Sequence, residues 1–130
     1  MANEAVCIEA PRIIVRRTVA DAAGIAKGTI LKLTSPNTVE ASSANNDIFG
    51  GIAIEEKTAN DGITQIGVAL DGVWAVKLKD EAVATGKILK ISGANEIGLA
   101  LNADAEEGRF CAKAEEDGQN QVKRARFIGY

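Results

Sequence analysis

The chain reads as an all-β protein: a compact β-barrel or sandwich of two similar halves, behind an extended N-terminal arm. Three observations predict this. The composition holds 14 Ile and 9 Val against 7 Leu, with 13 Gly and only 4% aromatic residues. An excess of β-branched residues among many glycines favours short strands and turns over a helix bundle. Apolar alternation recurs in short segments, each bounded by turn residues. The third observation is an internal repeat, described below.

Residues 1–20 form the arm: MANEAVCIEA, stopped by Pro11, then the strand-like RIIVRRT (12–18). Residues 21–130 form one domain, as the length suggests. GTILKLT (28–34) sets Leu31 and Leu33 on one face, and Ser35-Pro36-Asn37 supplies a turn in which Pro36 presets φ. TVEAS (38–42), FGGIAIEE (49–56), TQIGVAL (64–70) and VWAVKL (73–78) read as strands. Asp71-Gly72 between the last two is a two-residue hairpin signal. GKILKIS (86–92), EIGLAL (96–101), GRFCAKAE (108–115) and QVKRARFI (121–128) complete the series. Residues 21–28, 80–86 and 102–108 each could hold a helical turn or a structured loop, with Asp21, Asp80 and Asn102 as caps.

AKGTILKL begins at Ala26 and ATGKILKI at Ala84, an offset of 58 residues. Gly28 then meets Gly86, Leu31 meets Leu89, Asn37 meets Asn95, and without a gap Gly50 meets Gly108 and Ile52 meets Phe110. After a two-residue slip, Asp61-Gly62 meets Asp117-Gly118. The repeat spans roughly 26–66 and 84–122. Two copies of this period are too few for a solenoid. The expectation is two β-rich halves facing each other across a pseudo-twofold axis and closing one barrel-like core.

Function classes fall away by composition. With no His there is no Ser-His-Asp or Cys-His machinery and no histidine metal site. Cys7 and Cys111 are too few for a disulfide scaffold and read as two buried thiols, with a single bridge as the other option. No apolar run is long enough to span a membrane, and Glu4 with a non-basic start argues against a secretory signal. A net charge of −3 and one Trp make a poor nucleic-acid binder. The frame of a phosphate loop is missing around Thr85-Gly86-Lys87. Glu55-Glu56, Glu106-Glu107 and Glu115-Glu116-Asp117 read as solvated loop charges, though a hydrolase using two of these carboxylates is a formal alternative. The expectation is a protein that is not an enzyme, with no cofactor and no metal.

The remaining candidates are a Trp and two basic stretches. Trp74 shares the apolar face of its strand with Val76 and Leu78, so it is a core plug or an interface anchor. Arg12, Arg16 and Arg17 near one end and Lys123, Arg124 and Arg126 near the other read either as solubilising charges or as a docking surface for an acidic protein.

The order of motifs carries a resemblance. G-x-x-K-G-T-x-L-K-L-T follows the arm, then F-x-G-I-A with E-K after it, D-G-x-T-x-I-x-V, D-G-V-W, and A-x-x-x-G-x-x-L-K-I-S-G-A-N. Over roughly residues 20–128 the chain resembles the lambda-type capsid decoration (cement) proteins of tailed bacteriophages. The resemblance implies a homotrimer on the outside of the virion, bound to the major capsid protein of an assembled head. It implies an arm that adds a strand to capsid sheet edges, here Ala5, Val6, Cys7, Ile8 and Glu9, with Arg12, Arg16 and Arg17 behind it. Low proline content and the marked duplication depart from the lambda-type pattern. Paired glycine-strand units are also similar to biotinyl and lipoyl carrier domains, which leaves a carrier or small-ligand module as the alternative. Those carriers set a lysine on a tight turn beside Met, whereas the one Met here is Met1.

Overall fold

A computed structural model describes residues 3–101 and 110–128. Eleven strands occur among the described residues, and no helix. They are β1 (Val6–Glu9), β2 (Ile14–Thr18), β3 (Ile30–Ser35), β4 (Thr38–Ala41), β5 (Phe49–Ala53), β6 (Gln65–Ala69), β7 (Asp71–Leu78), β8 (Ile88–Gly93), β9 (Glu96–Leu99), β10 (Phe110–Ala114) and β11 (Val122–Ile128). Residues 21–28 and 80–86 are turns with the isolated bridges Ile25–Lys57 and Val83–Gly118. The third possible helical turn, 102–108, lies outside the described residues, as do Glu106 and Glu107.

The all-β expectation holds, and the halves are similar. Each half closes its own five-stranded barrel, so the expected single shared barrel is replaced by two. The first runs β2-β4-β3-β5-β6. The second runs β7-β9-β8-β10-β11, closed by the parallel pairing of β7 with β9. Closure leaves few exposed strand edges. The pairings match strand for strand: Thr18–Thr38 in the first barrel answers to Lys77–Glu96 in the second. The 58-residue offset holds across β3–β4 and β8–β9. It breaks later, because Leu31–Gly51 answers to Leu89–Ala112 and Lys32–Phe49 to Lys90–Phe110. Phe110 therefore corresponds to Phe49, not to Ile52. The bridge Ile25–Lys57 answers to Val83–Gly118, so Asp61-Gly62 and Asp117-Gly118 do not correspond either. Apolar alternation alone could not reveal these loop-length changes.

The Asp71-Gly72 hairpin does not form. β6 pairs with β2 and β5, and β7 starts the second barrel. Asp71 instead ties the barrels' entrance together: its Oδ1 accepts the Arg12 and Ile13 N–H groups, both at 2.8 Å. Gly72, at φ +101°, passes so close to the Glu9 carbonyl and the Pro11 backbone that a Cβ would collide.

The barrels pack head to tail. Asn95, in the β8–β9 turn, is fully buried; its Oδ1 accepts the Ile30 N–H at 2.8 Å and its N–H donates to Ser42 Oγ at 3.1 Å. The counterpart Asn37 is exposed and accepts from Arg17 of its own barrel. A twofold relation would make these contacts reciprocal, so the expected pseudo-twofold is absent. The reason lies in the faces. Ile30, Phe49, Ile52 and Ala69 on the outside of the first barrel join the core of the second, where Phe49 stacks on Phe127 at 5.3 Å. The second barrel carries the exposed Lys113 and Arg126 where the first has Ile52 and Ala69. Burying those charges would cost several kcal/mol per ion.

Candidate functional site

The arm is where the sequence and the structure together point. It is folded onto the molecule. Residues 14–18 are a wall of the first barrel, and Val6–Glu9 pair antiparallel with β7 of the second. The arm therefore does not extend over residues 1–20 as a free tail: Ile14, Val15, Arg16 and Arg17 are needed to close a barrel. Ala5 is buried, and its N–H donates to the Gly28 carbonyl at 2.8 Å. Gly28 sits at φ +89°, and the Ala5 carbonyl and Glu4 occupy the space a Cβ would need. Val6 lies opposite Ala75, Cys7 opposite Trp74 and Glu9 opposite Val73, with a bulge between Cys7 and Glu9. One short segment thus bridges both barrels.

Its outer side stays open. Val6 is 60% exposed and Ile8 49%, and β1 is the terminal strand of its sheet. Beside it runs a groove of about 630 Å³ between the barrels, with Ala5, Val6, Pro11, Ile14, Ile54 and Trp74 among its walls. A volume of this size at a junction of two units is where ligands and extended segments bind.

Trp74 is 4% exposed, within the core of the second barrel, and its Nε1–H donates to the Asp71 carbonyl at 3.0 Å. β1 covers its strand, so only its rim reaches the groove. Of the arginines, Arg16 is exposed, donates to the Gln65 carbonyl and lies 3.7 Å from Glu55. Arg17 points to Asn37 at 3.3 Å. Arg12 is exposed beside Asp71 and Glu9 in a second, more polar cleft of about 480 Å³. Arg126 from β11 reaches that cleft too and pairs with Glu9 at 3.4 Å and Glu115 at 3.2 Å. The contact thereby ties β11 to β1.

Both cysteines are free thiols. Burial pushes the Cys111 thiol far above its ordinary range, which keeps it protonated and unreactive. Cys7, expected to be buried, is exposed because β1 is an edge strand. Of the carboxylate clusters, Glu55, Glu115, Glu116 and Asp117 are engaged in local structure. Glu55 accepts the Gly67 N–H at 2.7 Å. Glu116 is held below the usual carboxylate range by the Arg124 N–H, then by its guanidinium. The Thr85 N–H and hydroxyl do the same for Asp117. Among the described residues no group of His, Cys, Asp or Glu is placed to hold a metal ion, and no helix is long and apolar enough to cross a membrane.

Two features have no signal in the sequence. Lys57 is a buried cation: its Nζ donates to the Asp21 and Thr58 carbonyls at 2.7 and 3.1 Å and lies 3.1 Å from Asp61. The pairing of β1 with β7 joins residues more than sixty positions apart, and no local pattern announces it. No known protein family matches the chain, and no curated protein sequence matches it.

Proposed function

We propose that the chain is a structural protein of a phage virion, a decoration protein that binds the outside of an assembled capsid and stabilises it. One observation carries this reading beside the motif resemblance: the β1 segment, anchored to both barrels, yet turning outward Val6, Ile8 and a strand edge that is unpaired among the described residues. Such an edge binds extended segments through main-chain hydrogen bonds and tolerates many side chains. A protein that binds the assembled shell and not its separate subunits stabilises the shell by mass action. Repetition over identical sites lets a modest energy per site reinforce a whole particle. The partner in this reading is the major capsid protein, and the protein acts as a homotrimer without cofactor or catalysis.

The test is co-sedimentation with expanded heads assembled from the capsid protein encoded in the same genome. Saturable binding and a raised head melting temperature are expected. Val6→Asp with Ile8→Asp, both at exposed positions, should abolish binding while the fold is retained. Heads that melt unchanged at saturating protein would end the reading.

A further inference from the structure

We infer that the open edge of β2 is a second strand-acceptor site, which takes an extended acidic segment of a different protein. The two barrels supply the argument. β2 and β7 hold the same place, each paired antiparallel along its length and bridged in parallel near its C-terminal end, at Thr18–Thr38 and Lys77–Glu96. Counting back from those bridges, Ile14 answers to Val73 and Arg16 to Ala75. On β7 this half is covered, with Val6 opposite Ala75 and Glu9 opposite Val73. On β2 the same half carries no strand among the described residues.

The edge presents real hydrogen-bonding capacity. Ile13 accepts from Leu70, and Val19 donates to Thr64, both toward the β6 side. Thr18 donates the other way, to Asn37. Strand alternation therefore turns the N–H and C=O of Ile14 and Arg16 toward the open edge, and both residues are exposed. Two such pairs, spaced two residues apart along a strand, are met in register by another extended backbone. The inter-barrel groove lies alongside, with Ile14 in its wall, and offers apolar seats for alternate side chains.

The occupant follows from charge and number. Arg12 stands exposed just before this edge, and the exposed Arg16 on it is held only by the Gln65 carbonyl and by a 3.7 Å contact with the half-exposed Glu55, which an incoming acid can displace. Among the described residues there is one such arm and there are two such edges. That arm lies on β7, fastened by Ala5 to Gly28, so the arms of further copies cannot fill the second edge without emptying the first. The segment comes from another protein. This assignment is independent of the capsid reading, because it names a chemistry and not a particle.

The probe is a synthetic peptide of residues 3–10 with Cys7→Ser, since this strand fits the equivalent edge. It is titrated into the full ¹⁵N-labelled chain. Saturable shifts and slowed hydrogen exchange are expected at the Ile14 and Arg16 amides, with Val73 and Ala75 unchanged. A peptide N-methylated at its edge-facing amides should not bind, and Arg16→Glu should weaken binding several-fold. No saturable change at Ile14 and Arg16 at millimolar peptide overturns the site. So does a response at Val73 and Ala75 instead, which would mean displacement of the chain's own arm, or equal binding by the N-methylated peptide. Unchanged affinity of the Arg16→Glu variant overturns the acidic preference.

Discussion

Gly28 and Gly86 share a backbone conformation, φ +89°, but not an environment. Around Gly28 the arm fills the space of a Cβ; around Gly86 nothing described lies within 4 Å. Gly86→Ala should cost only the left-handed strain, about 1–2 kcal/mol. Gly28→Ala should cost more and also loosen the arm, read as faster hydrogen exchange at Val73 and Ala75. Equal losses for both variants would mean that the arm adds nothing at Gly28. Lys57 is the other residue on which much depends. Its ammonium is satisfied by two carbonyls and faces Asp61 and Asp21, so it clamps the loops that hold them. Lys57→Ala leaves those groups facing a cavity, although both carboxylates can still reach water. A loss of about 3 kcal/mol is expected in denaturant unfolding. In the sequence Gly28 stands out as a repeat partner of Gly86, and Lys57 only as the lysine of the E-K motif. Their roles are not legible there, because each depends on a neighbour distant in the chain.

Among the elements, alternation located the strand segments from β2 to β11 and failed where a strand is covered on both faces. Leu31 belongs to the interior of the first barrel, as its pattern says. Its neighbour Ile30 should then be outward and wet; it is buried because the second barrel lies on that side. The same holds for Ile52 against Ala53. β1 shows the reverse case. Four residues, all exposed, read as an arm, yet they complete the cover of β7. Removing residues 1–9 should leave both barrels folded but less stable, and a red shift of Trp74 fluorescence should report its uncovered strand. An unshifted spectrum would mean that β1 does not shield Trp74.

At the scale of the molecule, one core spans both barrels. Ile30, Phe49, Ile52 and Ala69 of the first pack with Trp74, Val76, Leu89 and Phe127 of the second. A single calorimetric transition is expected. Phe127→Ala should lower it by about 3–5 kcal/mol for the whole chain; two separated transitions would show that the barrels are independent. The carboxylates set its pH dependence. Asp61 is held low first by the Ile63 N–H and then by Lys57, and Glu116 and Asp117 are held low as well. Groups with depressed folded pKa bind protons more readily when unfolded, so stability rises with pH through their range. Their contribution is full above the unfolded values near pH ~4 and fades as pH falls through the lower folded ones. The melting temperature should therefore drop below about pH 4, and it should drop less steeply in Asp117→Asn.

The amino-acid sequence by itself determined the β class, most of the strands, the duplication and the absence of histidine chemistry. These follow from side-chain type and short-range period, which act within a few residues. Only the tertiary structure decided that each half closes its own barrel, that the barrels stack head to tail, and that the arm covers one of two equivalent edges. The reason is physical. Closure and stacking depend on which apolar face meets which, and on the exposed charges Lys113 and Arg126 that keep the second barrel's equivalent face in water.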